Sequence, residues 1–136
     1  MAVGLRTVPI FYMIGTGSFM HSFFSTIAYR LEDNKWGSKF PNLMNKLYNA
    51  EIETTESKWV LDELKVIKQE LSKLTPDKVI WDIDDLTKLP PWGDNIAKTI
   101  TNLSNYFVTS DGKQLLDIFE NALQSSIDIK KPIKIQ

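Results

Sequence analysis

The chain contains no cysteine. Disulfide staples and thiolate metal centres are therefore excluded, and with them the small cross-linked secreted scaffolds. Histidine is nearly absent: His21 stands alone, and one imidazole cannot build a histidine-rich metal site. Neither sign of charge is in excess, with 16 Lys and Arg against 17 Asp and Glu, and the cations are scattered. The basic footprint of a nucleic-acid binder is missing. Long apolar runs are missing as well. Residues 8–14 are mostly apolar, but Pro9 interrupts them, only Arg6 stands just before, and a Gly-Thr-Gly-Ser run closes them. That stretch is too short for a membrane span and poor as an export signal. The expected location is the cytoplasm. No internal repeat or low-complexity tract is present.

What remains is a chain of 136 residues with ordinary apolar and charged content. This length suits a single domain over 1–136, able to bury roughly two thirds of its unfolded surface. Residues 3–14, rich in β-branched and aromatic side chains, read as a strand region. Gly15, Thr16, Gly17 and Ser18 read as a turn with Ser18 as helix cap. Phe19, Phe23, Ile27 and Leu31 then recur at helical spacing. A shorter helix can start at Pro41 and run through Leu43, Met44, Leu47 and Tyr48. The longest helix, about 56–74 with Thr54 or Thr55 as cap, carries the apolar stripe Val60, Leu64, Ile67, Leu71 and Leu74. Val79, Ile80 and Trp81 read as a short strand. Residues 90–95 form a loop, because two prolines and a glycine forbid regular structure there. Residues 106–109 read as a strand. A last helix is expected after Asp111 as cap, with Gln114 in the reciprocal position. Residues 129–135 alternate like a closing strand. Strict strand–helix alternation is missing, so the expected fold is α+β, a mixed or antiparallel sheet with helices packed mainly on one face.

Several clusters invite chemistry. Gly15 to Ser18, between a strand and a helix, could hold a phosphate on backbone N–H groups. Met20, however, stands where a dinucleotide site needs a small residue, and the P-loop lysine is lacking. A plain glycine turn explains the same residues. Asp82, Asp84 and Asp85 follow an apolar strand, a placement that suits magnesium held on hard oxygen ligands. The same three residues also fit a solvated acidic turn, or a patch that steers a basic partner. His21 would be the natural general base, yet no Asp or Glu lies one helical turn away to orient it. No catalytic, cofactor or metal residue is therefore assigned. Trp36, beside Gly37, and Trp92, between Pro91 and Gly93, are loop tryptophans. Exposed, each is the kind of residue that anchors a protein interface, with Asp94 and Asn95 as polar rim. Folded back, each is a lid on the core.

In order along the chain stand Ile14-Gly15-Thr16-Gly17-Ser18, Lys35-Trp36-Gly37, Trp81-Asp82-Ile83-Asp84-Asp85-Leu86, Pro90-Pro91-Trp92-Gly93-Asp94 and Asn105-Tyr106-Phe107-Val108-Thr109-Ser110-Asp111-Gly112. This series resembles immunity family seventy of the bacterial polymorphic-toxin systems, over nearly the whole chain. The resemblance implies a non-enzymatic protein that binds a cognate toxin C-terminal domain, often a nuclease, and blocks it in the producing cell. It implies no cofactor, no direct contact with nucleic acid and no membrane. Candidate partner-binding residues are Trp36, Asp82, Asp84, Asp85, Trp92, Asp94 and Asn95. The competing reading is a small metal-dependent phosphate-handling enzyme, with the three aspartates on magnesium and the Gly15–Gly17 turn on phosphate.

Overall fold

A computed structural model describes residues 2–93 and 95–136. The chain opens on a hairpin rather than on one strand. β1 (Ala2–Thr7) turns at Val8 and a cis Pro9 into β2 (Ile10–Thr16), antiparallel to it. Proline has no N–H for a ladder, so it belongs in this turn. The pairing shifts between Val3 and Gly4, a bulge that leaves Ile14 as the extra residue on β2. Ile14 and Gly15 are consequently both buried although they are adjacent. On the outer face the Phe11 ring lies across Gly4, where a Cβ would meet it at 2.7 Å and the Tyr12 carbonyl at 2.2 Å.

β2 runs directly into α1 (Gly17–Thr26), so the expected glycine turn is absent. The Thr16 hydroxyl, not that of Ser18, caps the helix by accepting the Phe19 N–H at 3.1 Å. After Thr26 the helix widens into a π-helical turn, Ile27–Leu31, closed by Glu32 N–H to the Ile27 carbonyl. A second π-helical segment, Asn42–Leu47, follows. α2 (Thr54–Leu71) starts from Glu53 as N-cap, whose N–H donates to the Glu56 carboxylate; neither Thr54 nor Thr55 is the cap. α3 (Leu115–Ile129) starts at Gln114, and Asp111 instead accepts the Thr109 hydroxyl within the preceding turn.

The sheet has three antiparallel strands in the order β2-β1-β3, where β3 is Lys134–Ile135. The closing strand is shorter than its alternation suggests, because Ile129 still belongs to α3 and Lys130 ends that helix with φ 57°. Ile133 pairs instead with Ile52 through reciprocal N–H···O bonds of 3.0 and 2.9 Å. α1 and α3 cover one face of the hairpin, and α2 packs on α3. Leu5 and Ile14 from the sheet, Phe23 and Phe24 from α1, Leu64 and Ile67 from α2, and Phe119 from α3 are fully buried between them. Phe23 stacks on Phe119 at 5.3 Å. This is the α+β domain expected, with helices on one sheet face.

Two carboxylates fix the irregular connection between α1 and α2. Buried Glu32 accepts the N–H groups of Gly37, Lys39 and Phe40 at 2.9–3.0 Å. Glu63 of α2 accepts the N–H groups of Asn42 and Leu43 and the Asn42 amide. The first N–H groups of a helix have no partner within it, and a carboxylate is a strong one. Burial nevertheless pushes the Glu63 carboxyl above the usual range, against these bonds.

Candidate partner-binding site

Helix α1 carries Ser22, Ser25 and Thr26 among its phenylalanines, all three fully buried. Their spacing, i, i+3, i+4, puts them on one face. That face receives the segment after α2. The Ser22 and Thr26 hydroxyls donate to the Ile80 carbonyl at 2.8 and 3.1 Å. The Thr26 oxygen also accepts the Ile80 N–H at 3.0 Å, and the Ser25 oxygen accepts that of Ile83 at 3.2 Å. Arg30 Nε donates to the Lys78 carbonyl at 2.8 Å. Buried backbone groups need partners, and here hydroxyls supply what a neighbouring strand otherwise would. This corrects the reading of residues 79–81 as a strand: the side chains of Val79 and Trp81 pack on the core, but no ladder forms. The expected strand at 106–109 is likewise reduced to one bridge, Val108 with Gln114, because its polar groups close the turn around Asp111 and Gly112.

The docked segment brings Asp82 and Asp84 to His21. Nε2 lies 3.3 Å from Asp82 Oδ1 and 3.7 Å from Asp84 Oδ2, while Nδ1 is 3.0 Å from the Tyr48 hydroxyl. Trp36 stacks beside the imidazole with 25° between ring planes. Lys88 Nζ is 3.6 Å from Asp82 Oδ2, and the Asp84 N–H donates to Asp82 Oδ1 at 2.9 Å. That N–H, then the charges of His21 and Lys88, hold the Asp82 carboxyl below the usual carboxylate range. Burial, and then Asp84 and Asp82, push the Tyr48 phenol up. No carboxylate on the His21 helix orients the imidazole, but tertiary contact brings two to it, those of Asp82 and Asp84. Gly17, Ser18, His21, Trp81, Asp82 and Lys88 line a cleft of about 240 Å³ here.

The three aspartates do not converge. Among the described residues, the ligand atoms that gather within 4.8 Å are those of His21, Asp82 and Asp84. Asp85 turns to Thr87, whose N–H and hydroxyl it accepts. The trio proposed for magnesium is therefore not assembled, and the Gly15–Gly17 phosphate turn is strand and helix start.

The two loop tryptophans part ways. Trp36 is a lid: its indole N–H donates to the Met44 carbonyl at 2.8 Å, and its ring packs on Phe24 and Tyr48. Trp92 is tethered yet still 36 % exposed. Its N–H donates to the Tyr106 hydroxyl at 2.8 Å, and it meets Trp81 edge to face at 5.4 Å. Beside it Phe19, Asn95, Ile96, Ile100 and Tyr106 line an apolar cleft of about 290 Å³. Asp84 and Asn95 are exposed, and Asp94 lies outside the described residues. The same segment exposes Leu86 and Leu89, at 52 % and 75 %, which sequence reasoning passed over because two isolated leucines carry no periodicity. It also missed Tyr48, Lys88 and the buried hydroxyls. For the hydroxyls a signal existed: small polar residues at helical spacing within a phenylalanine-rich face.

No helix among the described residues is long and apolar enough to cross a membrane. The model of the immunity protein 70 family matches residues 5–135. No curated protein and no solved structure matches the chain.

Proposed function

Since the chain belongs to the immunity protein 70 family of polymorphic-toxin systems, we propose that it neutralises its cognate toxin by seating the segment 82–97 on the toxin domain and occluding a surface the toxin needs. The family is one of immunity proteins, typically non-enzymatic inhibitors. The observation that carries the proposed surface is the exposure of Leu86, Leu89 and Trp92 beside Asp84, on a segment whose root at Ile80 to Ile83 is bonded to α1. Exposed apolar side chains on a pre-ordered loop bind with less entropic loss than those on a mobile one. A standard interface buries about 1,600 Å², and a few central apolar residues carry most of its energy. The carboxylates point to a basic partner surface, as in the substrate groove of a nuclease, and Asp84 and Asp85 would stand there in place of phosphates. The inhibitor would act in the cytoplasm of the producing cell.

The test is co-expression with the toxin domain encoded beside it. A stable complex on size exclusion and loss of toxicity are expected. Leu89→Asp, at a side chain three-quarters exposed, should leave the fold intact and disrupt the complex. A complex of unchanged affinity in Leu86→Asp, Leu89→Asp and Trp92→Phe alike would remove this segment from the interface.

A further inference from the structure

We propose that His21, Asp82 and Asp84 form a binding site for a zinc-class divalent ion. Their ligand atoms all lie within 4.8 Å of one another. Two ligands on a tetrahedral zinc, each about 2.0–2.1 Å from the metal, are about 3.3–3.4 Å apart. His21 Nε2 stands 3.3 Å from Asp82 Oδ1 and 3.7 Å from Asp84 Oδ2, so small side-chain shifts would bring the three onto one ion. The second nitrogen of the imidazole is already engaged. Nδ1 is 3.0 Å from the Tyr48 hydroxyl, and with a cation on Nε2 it carries the proton and donates to that oxygen. A partner on the far nitrogen is what fixes the tautomer and ring orientation of a metal-bound histidine. Trp36 and Tyr48 pack beside the ring, and the Asp84 N–H fixes the Asp82 carboxylate.

The donor set selects the class of ion. One imidazole nitrogen with two carboxylates suits zinc and its first-row neighbours, whereas magnesium and calcium favour oxygen throughout. With neutral imidazole the ligands carry two negative charges. Lys88 offsets part of this from the opposite oxygen of Asp82, at 3.6 Å, and its side chain is largely exposed, so it can turn away. Three protein ligands leave a fourth position to water or to an outside donor.

Calorimetry of untagged, chelator-treated protein with zinc chloride tests this, supported by visible absorption of the cobalt(II) form. One equivalent should bind. Asp84→Asn, at an exposed residue that the fold does not need, should weaken binding at least tenfold, and His21→Gln should abolish it. Tyr48→Phe should cost about 10–100-fold, as loss of an outer partner does, and Lys88→Met should tighten binding. Far-UV circular dichroism checks that each variant is folded; should His21→Gln not fold, Asp84→Asn decides. Absence of saturable binding, or binding unchanged in Asp84→Asn, would overturn the proposal.

Discussion

Replacing Ser22 by Ala and Thr26 by Val together should loosen the docked segment without emptying the core. Valine keeps the shape of threonine, and the change removes three hydrogen bonds, all to Ile80. The Ile80 N–H and C=O then lose the partners that α1 supplies. Each unsatisfied buried backbone group costs about 1–3 kcal/mol. Ile80 is only half-buried, so water softens the penalty, and a total of about 2–4 kcal/mol follows. Domains of this size hold roughly 5–15 kcal/mol, so the variant stays folded. Binding should suffer separately. Each residue that must be re-ordered costs about 1–2 kcal/mol, and freeing even a few residues of the 80–93 segment should weaken toxin affinity at least tenfold, about 1.4 kcal/mol. Ser57→Ala with Ser126→Ala is the control, because it removes another buried hydroxyl pair, at 3.0 Å between α2 and α3, away from the segment. Urea melts give the stabilities, hydrogen exchange reports the amides of 80–93, and calorimetry gives the affinities. Equal loss of affinity in the two variants, or unchanged exchange in 80–93 in the Ser22/Thr26 variant, would refute the anchoring role of the α1 hydroxyls.

Trp92→Ala should lower stability by about 2–4 kcal/mol, less than the 3–5 of a fully buried tryptophan because the ring is partly exposed; a thermal shift near zero would show that its contacts with Trp81 and Tyr106 carry no energy. Asp84→Asn with Asp85→Asn, in chelator-containing buffer, should slow association with a basic toxin domain more than it speeds dissociation, and raised salt should shrink the difference. Equal rates at two salt concentrations would remove these carboxylates from the encounter. Asp82 is held below the usual carboxylate range, so the unfolded chain takes up its proton first. The stability Asp82 contributes is present above a pH of about 4 and is lost as pH falls through its lower folded value. The acid limb of the melting curve should therefore be shallower in Asp82→Asn than in wild type, and parallel limbs would contradict the hold of the Asp84 N–H, and then of His21 and Lys88, on this carboxylate.

Local periodicity determined much of this protein. Of the expected stripe, Val60, Leu64, Ile67 and Leu71 bury as the spacing dictates, while Leu74 lies past the end of α2 and is only half-buried. The face of Leu115, Phe119, Ala122 and Leu123 buries as well, because a helix must hide one side whatever its neighbours are. The prolines and glycine of 90–93 excluded regular structure for reasons of covalent geometry alone. The motif series pointed to the family that the chain belongs to. Tertiary structure decided the rest. Val79, Ile80 and Trp81 have strand composition, but a strand needs a partner's N–H and C=O groups, and the hydroxyls of Ser22, Ser25 and Thr26 took that part. Trp36 and Trp92 look alike as loop residues; only the tertiary structure packs Trp36 on Phe24 and Tyr48 with its indole N–H on the Met44 carbonyl, and leaves Trp92, bonded to the Tyr106 hydroxyl, 36 % exposed. His21 and Asp82 stand sixty-one positions apart. No helical spacing relates them, and only the packing of 78–83 against α1 makes them neighbours.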